Sequence, residues 1–600
     1  MYFFFRGGKK MKSRKLLALL SASAMSLSLF GCGGSGSSTG GSTGGTASAD
    51  ETFKVGTTQE LSGIFNPMYS SSAYDQWIVN MVYQNMLEFN ADDELYPNAA
   101  AGYEISEDGT ELTFHMKEGQ KFSDGTTLDG DDVKYTFTLY ADPEYVGGYQ
   151  DGSFNFIEGF DDYMFGDAEE VSGITVSDDK MDVTFKLATP DIDALATIAQ
   201  VYLMSDEQFE YTKGNLDDYK NLDPMNVVGS GAYKINHYDK ASGASVVLNE
   251  NYTGDGDYKI KQIIVKTIAE GTEVASLESG EIDLLPEEID NGIIGPASLL
   301  ENVKTSHYFR PAEGYVGFNC QTGPTDDVAV RQALAYATNR EEFAEAYFQW
   351  PDGKAAEDIK DVSVGYVPKV FWSPVAETLG AVTTGEMELE GLVTYDYDLE
   401  KAKQILDDAG WKPGADGIRE KDGKKLEIKF LVSEGNSVLE MLIPIITKSW
   451  TELGVNLVTN TVDFNTLLTT VDPTNEETRN EWNAFFMVIT YTGLSNTTMN
   501  QVEGFTGTID KPVAGGSNYG GLFDEELNNL LNAGKQTADD AVSVENYSKA
   551  MVRSSELCGY LPIYGNNLFN LMNKRVQNLN MGPVCGWSKA LAGAYLGEAE

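Results

Sequence analysis

The chain has 600 residues, 42% of them hydrophobic and 22% charged, with 43 Lys and Arg against 92 Asp and Glu, a formal net charge of −49. That is the make-up of a globular protein with room for several cores, not of a disordered or fibrous chain. So acidic a surface repels phosphates and anionic headgroups, which argues against a nucleic-acid partner and against a protein lying flat on a membrane.

Lys12, Arg14 and Lys15 form a positive end ahead of Leu16 to Phe30, an almost uncharged run of 15 residues rich in Leu, Ala and Ser. This is the outline of a secretion signal, with Met11 a second candidate start. The run is shorter than the ~20 apolar residues that a membrane-spanning helix needs. Leu29-Phe30-Gly31-Cys32 resembles the bacterial lipobox, in which the Cys receives diacylglycerol through a thioether and becomes the mature N-terminus. The 16 residues from Gly33 to Ser48 are Gly, Ser, Thr and Ala. Such a coil reaches roughly 20–25 Å, enough to act as a leash. We therefore expect a signal peptide over 1–31 and a lipid-bearing linker over 32–49. Without the first 31 residues the balance is 37 basic against 92 acidic residues, or −55.

The folded part opens with a short strand, "FKVGT", a loop, and a helix-like apolar stretch from Tyr74 to Leu87. "ELTFHMK" alternates Leu112, Phe114 and Met116 with polar neighbours, the period of a half-buried strand. Asp129 is a candidate N-cap for the helix that follows, with Asp132 in its first turn. A hairpin places Val183, Phe185 and Leu187 on one face, and from Val227 to Pro286 the text is mostly strand. Past Gly314 the rhythm turns helical. "DLEKAKQILDDAGW" sets Leu399, Ala402, Ile405, Leu406 and Ala409 on one stripe with Gly410 closing it. "KKLEIKFLVS" and "VNLVTNTV" read as strands around the helical "SVLEMLIPIITKSWTEL"; helices near Leu527 and Val544, then "GYLPIYGNN" and a short strand, end the chain. Strand, helix, strand with short links is α/β.

Few residue patterns suggest chemistry. Beyond Cys32 there are Cys320, Cys558 and Cys585, without CxxC spacing; a Cys558–Cys585 disulfide is one option and free thiols the other. His115, His237 and His307 stand at least 70 residues apart, a pattern of surface or strand residues and not of metal ligands. No metal or cofactor is expected. Ser177-Asp-Asp-Lys180 matches Ser-x-x-Lys, yet it sits in a turn between two strands where polar residues belong. With 92 carboxylates, chance acid pairs are guaranteed, so a secreted hydrolase stays a rival reading without a motif of its own.

Longer blocks carry a family resemblance. "NMLEFNADDELYPNAAAGYEISEDGTELTFHMKEGQKFSDGTTLDGDDV", "VVGSGAYKI", "LESGEIDLLP", "FNCQTGPTDDVAVRQALAYATNREE" and "YDYDLEKAKQILDDAGW" resemble, in order, the signature blocks of the extracellular solute-binding proteins of ABC importers. The similarity is to the oligopeptide and dipeptide group, solute-binding family 5, cluster C. The resemblance implies a periplasmic-binding-protein-like type II fold: two lobes on a hinge, with an additional domain inserted in the first. It places lobe I at 50–88, 222–310 and 557–600, the extra domain at 89–221, lobe II at 311–556, and hinges near Phe309 to Phe318 and Tyr560.

The same resemblance implies a non-enzymatic monomer, lipid-anchored on the outer face of the cell membrane, that passes peptides or another small solute to a permease and its ATPase. Strand-like pairing with a peptide backbone would give sequence-independent affinity. Cleft residues implied by alignment are Tyr69, Tyr315, Asn319, Tyr491, Ser495, Asn518 and Tyr564. One departure stands out. Many peptide binders carry a lobe II segment whose Asp pairs with the ligand's α-amine, but "VITYTGLSNTTM" has no carboxylate between Glu481 and Glu503. Either the ligand is held otherwise or it is not a peptide with a free N-terminus. Oligosaccharide or another solute remains an alternative cargo, with nickel chelate disfavoured by the scarcity of His.

Overall fold

The computed structural model describes residues 51–147, 153–350, 354–491, 493–514 and 516–597. The expected signal peptide, Cys32 and its linker lie outside the described residues. Among the described residues no helix is long and apolar enough to cross a membrane.

One large mixed sheet organises the molecule. Across it run, in order, Asn456–Val462, Glu427–Ser433, Ala484–Thr490, Val303–Phe318, Tyr560–Asn573, Leu284–Glu288, Thr52–Thr57, Gln262–Thr267, Gly243–Leu248 and Tyr233–Asp239, with Gly365–Tyr366 pairing off this path. Thr52–Thr57 is parallel to Gln262–Thr267 and almost wholly buried, which is why "FKVGT" lacks clean alternation.

The centre of the sheet is two long antiparallel strands, Val303–Phe318 and Tyr560–Asn573, paired from Val303↔Asn573 to Gly317↔Tyr560. At one end the second of them pairs antiparallel with Leu284–Glu288. At the other end the first pairs with Ala484–Thr490. The two halves of the sheet, which we call lobes I and II, are thus bridged by these strands. Their register breaks between Phe309 and Glu313, and again between Gly314 and Tyr315. Pro311 has no N–H to give a ladder, so a break here is what its chemistry dictates.

Lobe I also carries a four-stranded sheet, Ala100–Ile105, Glu111–Met116, Asp182–Lys186 and Ile174–Val176 in that order. Leu112, Phe114 and Met116 point inward as their period requires, while His115 faces outward and meets Asp182 at 2.7 Å. The helix Gly130–Tyr140 has the cap expected: Asp131 N–H donates to Asp129, and Asp129 N–H donates to Asp132, both at 2.9 Å. Phe114 and Phe137 from this region share one core with Phe53 and Val55 of the large sheet. In lobe II the helix Leu399–Asp408 buries Ala402 and Leu406, and Gly410 follows with φ 89°. Helix Ser437–Leu453 buries Leu442, Ile446 and Trp450 against Phe430.

Two sequence readings change. The short terminal strand expected after Tyr560 is 14 residues long, and residues 303–318 form a strand of 16. Pro311, Pro562 and Gly565 break up both stretches in sequence, yet they sit at or beside the interruptions in the ladder and end neither strand. The optional Cys558–Cys585 disulfide is absent: both are free, buried thiols, as Cys320 is free. Ser177 and Lys180 occupy a hairpin turn, with Ser177 Oγ donating to Asp179 at 2.7 Å and Lys180 paired to Asp131 at 2.6 Å.

Candidate functional site

A cavity of about 400 Å³ lies where the lobes face each other. Lobe I supplies Trp77 and Asn80 from the helix Ala73–Val82, whose N-terminus Ser72 caps, together with Glu287, Tyr308 and the segment around Lys589. Lobe II supplies Thr490, Tyr491 and Gly493. A second cavity, of about 870 Å³, is bounded by Asp290, Phe348, Trp350, Tyr564 and Asn566. Arg310 lines both cavities.

The charges in the first cavity differ in how far the protein satisfies them. Lys589 is paired to Glu88 at 2.8 Å and also reaches Gln200 at 3.3 Å. Burial works against its charge, but the Glu88 carboxylate prevails and raises its pKa. Glu88 is saturated further by the Phe89 N–H at 3.0 Å and the Asn85 amide at 3.1 Å. This pair is structural.

Glu287 is different. It has φ +58° in the irregularity between Leu285 and Glu288, just after Pro286. Left-handed backbone is costly for a residue with a Cβ and persists only where its surroundings impose it. Here the Glu287 N–H donates to the Asn570 side chain at 3.2 Å, and the carboxylate accepts from Tyr308 Oη at 3.3 Å. Glu287 has no ion pair with any described residue. Burial raises its pKa, opposed by the Tyr308 hydroxyl and the charge of Arg310.

The residues named from sequence are dispersed. Tyr491 lines the first cavity with its ring, but its hydroxyl is committed to Glu313 Oε2 at 3.0 Å, a fully buried carboxyl raised by burial. Tyr564 lines the second cavity, and burial pushes its phenol up to about 12. Tyr69 is half-buried against Tyr145, next to Ser70 on the first cavity's wall.

The others lie elsewhere. Tyr315 is buried in the lobe II core against Phe371 and Phe485. Asn319 holds a turn, donating to the carbonyls of Arg479 and Trp482 at 2.7 and 3.1 Å. Asn518 is fully buried and ties Gly504 to Leu522. For Asn319 and Asn518 a short polar side chain satisfies backbone groups instead of facing solvent. Ser495 crosses between lobes: its Oγ lies 3.0 and 2.9 Å from the two carboxylate oxygens of Asp193.

Sequence reasoning missed Glu287, Arg310, Tyr308, Trp77 and Lys589. A signal for the first was the Pro-Glu pair ending "LESGEIDLLPEE", and for the second an arginine placed directly before proline in a chain poor in arginine.

Two lobes joined by paired strands, with a cleft between them, are the architecture of a solute-binding protein. Residues 94–510 match the family described as bacterial extracellular solute-binding proteins, family 5 (middle region). The chain is 25% identical over 540 residues to the dipeptide-binding protein of Escherichia coli K12, covering 87% of this chain and 90% of that one. It is 24% identical over 590 residues to the oligopeptide-binding protein AppA of Bacillus subtilis 168, covering 96% and 97%. Among solved structures, the ABC transporter substrate-binding protein CtaP from Listeria monocytogenes superposes with a TM-score of 0.71 at 21% identity, covering 91% of this chain and 99% of that one.

The chain belongs to family 5 of the bacterial extracellular solute-binding proteins, the binding components of ABC importers. Its fold is the α/β, periplasmic-binding-protein-like fold of that family.

Proposed function

We propose that this protein captures peptides between its lobes and delivers them, chemically unaltered, to a membrane permease driven by an ATPase. In this reading it is a monomer without enzymatic activity, anchored outside the cell membrane through Cys32 after removal of residues 1–31, with 33–49 as the leash. Lobe I comprises 50–88, 222–310 and 557–600, with 89–221 as its extra domain, and lobe II is 311–556. The crossing strands near Phe309 to Phe318 and near Tyr560 form the hinge, and closure is hinge bending that the cargo favours through its added contacts.

The observation that carries the reading is Glu287, a carboxylate in the interlobe cavity with no cation of the described residues paired to it. A ligand ammonium would supply the missing charge, which answers the absence of a carboxylate between Glu481 and Glu503. Relatives named for dipeptide and oligopeptide binding, each matched over most of its length, support the same cargo class. Tyr69, Tyr491 and Tyr564 are the residues named from sequence that this site would use, through their rings.

Native mass spectrometry of gently purified protein, followed by thermal shift with peptide and oligosaccharide panels, tests the reading. A ligand at about 100 times its dissociation constant adds about 2.7 kcal/mol to stability. Peptides should raise the melting midpoint and sugars should not; a flat peptide panel beside a responding sugar would overturn the peptide assignment.

A further inference from the structure

Arg310 differs from the other arginines of the described structure. Arg331 donates to the Leu557 and Thr325 carbonyls, and Arg340 to those of Pro368, Pro562 and Tyr395. Arg419 binds Asp407, Arg479 binds the Pro473 carbonyl, Arg553 binds Asp524 and Arg575 binds Asp283. Arg310 makes no such bond or ion pair within the described chain. It is half-buried, and it stands in the register break of the first long strand, immediately before Pro311.

A guanidinium offers five N–H donors in a planar fork matched to a carboxylate. Leaving all five to water in a walled cleft gives up charge-assisted bonds that nearby acids could supply. Glu287 is close enough for its charge to be felt but does not pair with it. Asp290 lines the second cavity and does not pair with it either. The chain's formal charge is −49, so its field disfavours anions on approach. A cation kept open between two cavities is the local device that could reverse that preference.

We infer that the cargo carries a carboxylate that docks on Arg310, and that it extends from the Glu287 cavity past this residue into the aromatic-walled cavity of Phe348, Trp350 and Tyr564. Arg310 is then a specificity-determining residue, selecting cargo with a negative group at a set distance from its ammonium end. The second cavity, at about 870 Å³, has room for side chains beyond that point. The carboxylate has two possible sources, the C-terminus of a peptide or an acidic side chain. This inference rests on the peptide reading above.

Three random pentapeptide pools test it on the full chain: free termini, C-terminally amidated, and free termini without Asp or Glu. Binding is read by native mass spectrometry and by thermal shift. If the C-terminus docks, amidation weakens binding by about 30-fold or more while omission of Asp and Glu does little. If an acidic side chain docks, the Asp- and Glu-free pool is the one that loses. Arg310→Gln should abolish whichever discrimination is found, and Arg310→Lys should restore part of it. Without peptide, Arg310→Gln should melt close to the wild type, since Arg310 makes no hydrogen bond or ion pair with the described residues. Equal binding of all three pools overturns the inference and leaves the peptide reading intact. Failure of every pool to bind overturns the peptide reading, and this inference with it.

Discussion

The contact between Asp193 and lobe II should make stability fall as pH rises. Asp193 directly precedes the helix Ala194–Ala199, which packs with lobe I, and is buried, with Ser495 Oγ at 3.0 and 2.9 Å from its oxygens and Thr497 Oγ1 also donating to it. Beside it Asp191 pairs with Lys535 of lobe II at 3.5 Å, and the Ile192 N–H donates to the Lys535 carbonyl at 3.0 Å. Burial lifts the Asp193 carboxyl from 3.8 to about 7, the Asp191 charge adding to the lift and the two hydroxyls and Lys535 opposing it.

The folded state therefore binds this proton more tightly than the unfolded chain. The stabilisation is complete below about pH 3.8 and is lost as pH rises through about 7. A shift of this size corresponds to at most on the order of 4 kcal/mol. Thermal melting of the wild type and Asp193→Asn between about pH 4 and pH 8 reads the effect. The wild-type midpoint should fall further than that of the variant, which has no proton to lose at this position. Parallel pH profiles, or a wild type that gains on the variant as pH rises, would refute the reasoning.

Other outcomes follow from single contacts. Asp283 is buried and takes two bonds from Arg575, at 2.7 and 2.8 Å, pinning the chain after the second long strand to lobe I. Asp283→Ala removes both charge-assisted bonds from a largely buried guanidinium and should cost about 3 kcal/mol in denaturant unfolding, whereas an unchanged midpoint would show the pair to be dispensable. Burial pushes the Cys558 and Cys585 thiols up to about 12, so both stay protonated near neutrality. Mass spectrometry after iodoacetamide treatment at about pH 8 should find neither alkylated until the protein is denatured, because the thiolate is the nucleophile. Rapid native alkylation of either would contradict the packing described.

How much of this the sequence disclosed depended on how local each feature is. Elements whose own side chains decide them were readable: the Asp129 cap, the alternation of Leu112, Phe114 and Met116, and the stripe ending at Gly410 depend on neighbours within a few residues. The long strands were not, because Pro311, Pro562 and Gly565 signal interruption in sequence. Only pairing between residues some 250 positions apart makes those interruptions bulges. The site was harder still. A buried polar side chain and a cleft-lining one look alike in sequence, and whether Asn319 meets solvent or a carbonyl is decided by a segment some 160 positions along the chain. Glu287 and Arg310 matter for the partners they lack, which no local pattern encodes. Ser495 was read as facing a ligand, but it meets Asp193, some 300 positions away.

The central claim is that two lobes close over a solute that leaves unchanged. Small-angle scattering of the protein stripped of ligand by partial unfolding and refolding, then titrated with the free-terminus pentapeptide pool, measures it most directly, with the released peptides weighed afterwards. The account predicts a smaller radius of gyration on saturation and peptides of unaltered mass. The same envelope with and without bound peptide, or cleaved peptides recovered from purified protein, would contradict it.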